Sequence, residues 1–168
     1  MAVHLQPWGP HDLPLLTRLV GDPAMMEHLG GPERPEKISE RHARYLRRDP
    51  NTQMFKVVDE ESGKGVGSVG YWPRAWRGNE VFETGWSVIP EFQGRGIATA
   101  ATAKLIDTVR SLKLRRYLHA FPSVDNAASN AICRKLGFTL LGATDFEYPA
   151  GHTMRCNDWC LDLSAANR

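Results

Sequence analysis

The sequence predicts an α/β (α+β) domain with a mixed sheet and a strand-turn-helix at its centre. Three observations carry this expectation. Runs of strand period and of helix period succeed one another along the chain, a glycine-bearing turn joins a strand to a long helix in the middle, and no linker or internal repeat interrupts residues 1–168. A chain of 168 residues has the length of one domain, able to bury about 70% of its unfolded surface.

The elements follow in order. Residues 2–6 read as a short strand. Asp12 is placed to cap a helix with Leu13, Leu16, Leu19 and Val20 on one side, and Gly21 to end it. Asp22 and Pro23 restart a short helical piece through Leu29, which Gly30, Gly31 and Pro32 break. Pro35 suits the first turn of a helix running to about Arg48, with Arg41, Arg44, Arg47 and Arg48 on its exposed side. Residues 54–58 and 66–71 then read as strands joined by a hairpin loop over 59–64. Residues 72–79 show no period and read as a loop.

Residues 81–89 form the next predicted strand, with Phe82, Trp86 and Val88 on one face and Glu83, Gly85 and Ser87 on the other. Pro90 ends it. After the turn, Ile97, Ala101, Leu105, Val109 and Leu112 mark one face of a long helix. A strand at 116–121, a helix at 126–136 stopped by Gly137, and strands at 138–141 and 156–163 complete the pattern.

Composition excludes several classes of partner. Hydrophobic residues at 42% and charged residues at 24% are ordinary for a globular protein. A net charge of +2 is too small to make nucleic acid or an anionic membrane the main partner. No apolar run reaches the roughly 20 residues of a membrane span, and residues 1–7 lack the basic and apolar regions of a signal peptide. Three cysteines, an odd number, point to a reducing cytoplasm rather than a disulfide framework.

Two glycine clusters compete as phosphate sites. Gly65-Val66-Gly67-Ser68-Val69-Gly70 matches the dinucleotide fingerprint G-x-G-x-x-G letter for letter. That fingerprint works only where the glycines open a helix. Here they lie inside a strand pattern and Pro73 follows, so a glycine-rich strand is the better reading. Gln93-Gly94-Arg95-Gly96 instead lies between a strand and a helix. A helix start leaves backbone N–H groups without partners and carries about half a positive charge. Gly94 and Gly96 remove side chains, Arg95 adds a cation, and the site suits a pyrophosphate. On these grounds CoA, a dinucleotide and a nucleotide fit alike.

A family resemblance separates them. Gln93-Gly94-Arg95-Gly96-Ile97-Ala98 resembles the Q/R-x-x-G-x-G/A signature of the GNAT superfamily of N-acetyltransferases. Asn126-Ala127-Ala128-Ser129 followed by Lys135-Leu136-Gly137-Phe138 is similar to the N-x-x-S…K-L-G-F of the branch that includes ribosomal-protein alanine acetyltransferases. Leu29-Gly30-Gly31-Pro32 is also common in that branch.

The resemblance implies a mixed, mostly antiparallel twisted sheet with flanking helices, its two central strands, 81–89 and 116–121, splayed apart. It implies acetyl-CoA as co-substrate, its pantetheine arm pairing with the first of those strands. Val88 would then give a backbone N–H to the thioester carbonyl. Gln93, Gly94, Arg95, Gly96, Ile97 and Ala98 would surround the pyrophosphate, and Asn126 would meet the pantetheine or sulfur end.

Acyl transfer to an amine needs a base, a polarised carbonyl and a stabilised leaving thiolate. Glu83, a lone carboxylate on the face of Ser87, is the base candidate, since burial would raise its pKa toward the working pH. Many family members carry a base at this strand position. Ser129 is the candidate donor to the leaving sulfur, and a hydroxyl there could equally cap the helix. Many members also carry a tyrosine acid two residues before the lysine of K-L-G-F. Cys133 stands there instead, either as acid or as apolar filler, which leaves the identity of the acid open. No metal is expected, because the six histidines and the Cys156–Cys160 pair show no ligand spacing of a metal site.

For the acceptor, Met25, Met26, His28, Leu29, the segment bearing Trp72 and Trp76, and Tyr148-Pro149-Ala150-Gly151-His152 are the expected walls. Trp72, Trp76 and Trp86 could hold an ammonium by cation–π contact or simply pack. The leading expectation is an acetyl-CoA-dependent N-acetyltransferase acting on a primary amine of a small molecule or protein N-terminus, with a homodimer as the candidate assembly. A non-catalytic CoA-binding regulatory domain is the alternative, and a dinucleotide-binding oxidoreductase the third reading.

Overall fold

The computed structural model describes residues 2–47, 49–147 and 150–165. Seven strands form one sheet in the order β1-β2-β3-β4-β5-β7-β6. They are β1 (Val3–Pro7), β2 (Gln53–Asp59), β3 (Gly65–Trp76), β4 (Asn79–Val88), β5 (Tyr117–Ala120), β6 (Thr139–Glu147) and β7 (Thr153–Asp162). Every pairing is antiparallel except β4 with β5. Helices α1 (Leu13–Val20), α2 (Pro35–Tyr45), α3 (Ile97–Leu112) and α4 (Ala127–Lys135) flank it. The expected mixed, mostly antiparallel sheet with flanking helices is therefore the one observed.

The core forms where the predicted apolar faces meet. Ile97, Ala101, Leu105 and Val109 of α3 share one buried cluster with Phe82 of β4 and Leu118 of β5, the last two fully shielded from solvent. Trp8, Leu16, Ile38 and Met54 make a smaller second cluster between α1, α2 and the sheet edge. No helix among the described residues is long and apolar enough to cross a membrane.

Several local expectations are corrected. Residues 72–79 are not a loop: β3 runs through Trp76, Arg77 and Gly78 turn with φ of 49° and 81°, and β4 begins at Asn79. Two positive φ values make the tight turn whose twist matches a hairpin. Pro73 sits within this strand because β2 stops pairing at Gln53↔Tyr71, so nothing on that side needs its missing N–H. The last hairpin is likewise longer than expected, with a bulge between Leu140 and Gly142 that breaks the alternation.

Asp12 does not cap α1; its carboxylate accepts from the Gly9 N–H at 2.8 Å and pairs with Lys56 at 2.9 Å. Gly21 follows α1 with an ordinary φ of −97°, and its role is space, since a Cβ would lie 2.6 Å from the Thr17 carbonyl. After Asp22 the chain makes successive turns rather than a helix. The second helix ends at Tyr45, and Arg48 lies outside the described residues. On that helix Arg41 is largely buried against Glu33 and Arg44 is exposed, as is Arg47 just beyond its end.

The glycines that imitate a dinucleotide fingerprint are strand glycines. A Cβ on Gly67 would lie 2.2 Å from the Ser87 carbonyl of β4, and one on Gly70 would meet the Met54 side chain and the Gln53 carbonyl of β2. Their absent side chains let three backbones close up. Gly67→Ala should therefore separate β3 from β4 locally, costing about 1–3 kcal/mol and lowering Tm by several degrees in thermal unfolding.

Candidate active site

A single geometric event creates the cleft. The pairing of β4 with β5 is confined to Phe82↔Leu118 and Glu83↔His119, after which the two strands part. Beyond that point β4 continues to Val88, bonded only to β3. Ile89 donates its N–H to Val66 on the β3 side. Because backbone polar groups alternate sides along a strand, the N–H and C=O of Val88 turn toward the gap. The Val88 carbonyl there accepts the Gln93 side-chain amide at 2.8 Å.

The turn that follows leaves the start of α3 open. A short 3-10 turn, Pro90–Phe92, leads through Gln93 to Gly94 and Gly96, whose φ values are 74° and 78°. Such values strongly favour glycine. Nothing lies within 4 Å of a Cβ built at either position, so the start of α3 opens outward. The helix has no side-chain cap there, which leaves the first N–H groups, those of Ile97 and Ala98 among them, facing that space. The Ile97 side chain itself is 2% exposed and belongs to the core. Arg95 folds back, giving a hydrogen bond to the Glu91 carbonyl at 3.0 Å and lying over Phe92. A pyrophosphate fits the open glycines and free amides of this turn.

The cleft between the parted strands encloses about 950 Å³. Its walls bring together Glu83, Trp86 and Ser87 of β4 with Asn126 and Ser129 at the start of α4. Asn126 is the cap of α4, accepting the Ser129 N–H at 3.1 Å, so Ser129 is not. The Trp86 indole N–H donates to the Ser129 hydroxyl oxygen at 3.3 Å, which leaves that hydroxyl's own hydrogen for another acceptor. Cys133 does not line the cleft. It is fully buried in the main core, where burial pushes its thiol up to about 12, and it acts as packing.

Glu83 combines burial with a charge partner. Loss of water raises its pKa above the ordinary carboxylate range, against the charge and hydrogen bond of Arg74 and a hydrogen bond from Trp72. The Arg74 Nη1 donates to Glu83 Oε1 at 2.9 Å.

Trp72, Trp76 and Trp86 all line the cleft, as do Met26, His28 and Leu29. The cations over Trp76 are the chain's own Arg74 and Arg77. Ala150, Gly151 and His152 stand away from the lining, and Tyr148 and Pro149 lie outside the described residues. Among the described residues no group of three or more His, Cys, Asp or Glu is arranged to hold a metal ion.

Two groups of supporting residues escaped the sequence reading. Asn130 is buried and joins α4 to β7: it donates to the Ser123 and Asn126 carbonyls and accepts from Asn157 and the Trp159 indole, each at 2.8–3.0 Å. Asp158, 1% exposed, accepts from the Trp76 indole and holds the buried His119 ring at 2.7 Å. Both reach across the chain, Asn130 to Asn157 and Trp159 and Asp158 to Trp76 and His119, all 27 or more positions away, so no local pattern marks these bonds.

The chain matches the family model described as Acetyltransferase (GNAT) domain over residues 3–139. Comparison with curated protein sequences gives no match. Among solved structures, RimL, a ribosomal-protein alpha-N-acetyltransferase in complex with coenzyme A, superposes with a TM-score of 0.79 at 20% identity, covering 96% of this chain and 94% of that one. Spermidine N-acetyltransferase from Vibrio cholerae, with CoA and spermine, gives 0.80 at 18% identity over 96% of both chains. The putative acetyltransferase yncA from Salmonella typhimurium, with acetyl-CoA, gives 0.77 at 21% identity over 100% and 98%. At these identities the likeness speaks for the fold.

The Asn130 network supports a first test of how the cleft wall is held. Asn130→Ala removes the acceptor of the Trp159 indole and the Asn157 amide. It should cost about 1–3 kcal/mol in denaturant unfolding, with the m-value unchanged.

Proposed function

Since the chain belongs to the GNAT acetyltransferase family, we propose that it carries an acetyl group from acetyl-CoA directly to a primary amine, with Glu83 as the base. The observation that carries the reading is the parting of β4 from β5 beside an uncapped helix start, with a largely buried carboxylate at the point of separation.

Each residue's part follows from its place. The free amides of Ile97 and Ala98, with the open turn at Gly94 and Gly96, bind the pyrophosphate. Arg95 and Gln93 shape that turn through their bonds to Glu91 and Val88. The edge of β4 facing the gap offers backbone groups to the pantetheine arm, as a sheet edge does to an added strand. The Val88 N–H polarises the thioester carbonyl.

Glu83 takes the proton of the acceptor ammonium, directly or through water. The freed nitrogen then attacks the thioester carbon, the C–N bond forms, the C–S bond breaks, and the nitrogen's second proton passes to the departing thiolate, leaving the amide and the free thiol of CoA. Ser129, its oxygen already engaged by the Trp86 indole, turns its hydrogen toward the departing sulfur, and Asn126 holds the helix start from which it projects. The acceptor is a small-molecule amine or a protein N-terminus entering past Trp72 and Trp86.

A net charge of +2 and three free cysteines favour a cytoplasmic enzyme with acetyl-CoA and an amine rather than nucleic acid or membrane as partners.

Two substitutions test the halves of the site separately. Gly96→Glu places a side chain and a negative charge where the pyrophosphate would lie. The parent should gain about 2.7 kcal/mol of stability from acetyl-CoA at a hundredfold excess over Kd, whereas the variant should show no thermal shift. Tight binding by Gly96→Glu would remove the cradle.

Glu83→Gln should lower kcat by about a hundredfold or more with acetyl-CoA affinity retained. In the parent, kcat/KM should fall as pH drops through the raised Glu83 pKa, because protonation removes the base, and that limb should be missing in the variant. An unchanged rate and profile would exclude Glu83.

A further inference from the structure

Arg74 occupies a place that packing alone does not explain. Its guanidinium lies 4.2 Å from the Phe146 ring centre, 5.2 Å from Phe121 and 5.3 Å from Trp76. The three rings touch one another, with centroids 4.8–5.5 Å apart, and form a cage. They come from β3, from the residue after β5 and from β6, so three separate elements converge on one cation. A further layer pins the cage: His119 stacks on Phe121, and Asp158 grips both His119 and the Trp76 indole. The Arg74 Nε is buried without a partner, which is a cost that a merely decorative arginine would avoid by reaching water. Ring faces attract the cation and offset that cost.

Among the described residues, the carboxylate in hydrogen-bond contact with this guanidinium is Glu83, through Nη1 and Oε1. The other ionisable groups around the corner are otherwise engaged. His119, level with Glu83 on β5, is tied to Asp158 of β7. Asp145 of β6 pairs with Arg155 at 3.0 Å. Burial, with the Glu83 charge next, pushes the Cys156 thiol up to about 11, so it stays neutral. A glutamate side chain has three rotatable bonds, and one fixed oxygen removes most of that freedom.

We propose that Arg74, held in the cage of Trp76, Phe121 and Phe146, is the positioning residue that aims the Glu83 carboxylate into the cleft and favours its charged form there. The inference rests on the reading of Glu83 as base. Burial raises the Glu83 pKa, and the caged cation limits how far that goes. The cage is thereby filled by the protein itself, and an acceptor's second cation has no place in it.

The test needs neither acceptor nor turnover, so it succeeds or fails independently of the transfer reaction. The carboxyl carbon of Glu83 is followed by NMR in protein labelled at glutamate with carbon-13, its signal identified by its loss in Glu83→Gln. In Arg74→Ala the titration midpoint should rise by about one pH unit or more. Arg74→Lys should return part of the shift, and millimolar guanidinium chloride added to Arg74→Ala should pull the midpoint back. Phe146→Ala, which keeps the charge and opens the cage, should move it upward by less. An unmoved midpoint in Arg74→Ala overturns the proposal. So does a rise that neither lysine nor guanidinium reverses, which would mark a general loss of packing. Full turnover in Glu83→Gln would instead sink the base assignment while leaving the measured pairing of Arg74 with Glu83 intact.

Discussion

The parallel contact between β4 and β5 is two residue pairs long, and the rest of the molecule is arranged around where it stops. Phe82 and Leu118 anchor it in the core, both without solvent exposure, against Leu105 and Val109 of α3. Glu83 and His119 are the last pair. Past them β4 is held by β3 alone, and β5 is held by β7. A sheet that divides in this way exposes backbone polar groups at its centre rather than at its rim. Those groups need partners, and the Gln93 amide on the Val88 carbonyl is one that the chain supplies.

The two sides of the division are then built differently. On the β4 side the chain turns through two left-handed glycines into an uncapped helix, leaving donors toward solvent. On the β5 side α4 is capped by Asn126 and fastened to β7 through Asn130, whose amide is bonded at both ends. One helix start is kept open and the other is closed. The open one can take an anion, and the closed one holds Ser129 steady against Trp86. Between them sits a carboxylate whose burial would be costly without the caged guanidinium beside it. The polar groups of the cleft are thus tied into the fold by buried Asp158 and Asn130, so the site and the stability of this half of the sheet are coupled.

Much of this was legible in advance, for identifiable reasons. Period two placed Glu83 apart from Phe82, and the strand-turn-helix at 81–97 located the open helix start. Order among the glycines told a helix start from a strand: those at 94 and 96 precede a helix, and those at 65–70 lie within β3. Residues 72–79 carry no period that would mark the hairpin, and Pro73 fits within β3 only because β2 ends beside it. Asp12 was expected as a cap because its position allows one, but a lysine from β2 competes for the same carboxylate and wins.

Local periodicity, turn chemistry and the sign of φ are properties of a few neighbouring residues, and the sequence by itself determined those: the α/β alternation, the glycine turn, the helix starts and the parity of β4. Which strands pair, and where they stop, depends on contacts between residues far apart in the chain. Only the tertiary structure decided that β4 and β5 part after Glu83, that Arg74 meets it, and that Trp76, Phe121 and Phe146 close around that cation. These contacts join residues from β3, β4, the end of β5 and β6. Their energy comes from burial and ring–cation geometry, which exist only once the sheet has formed.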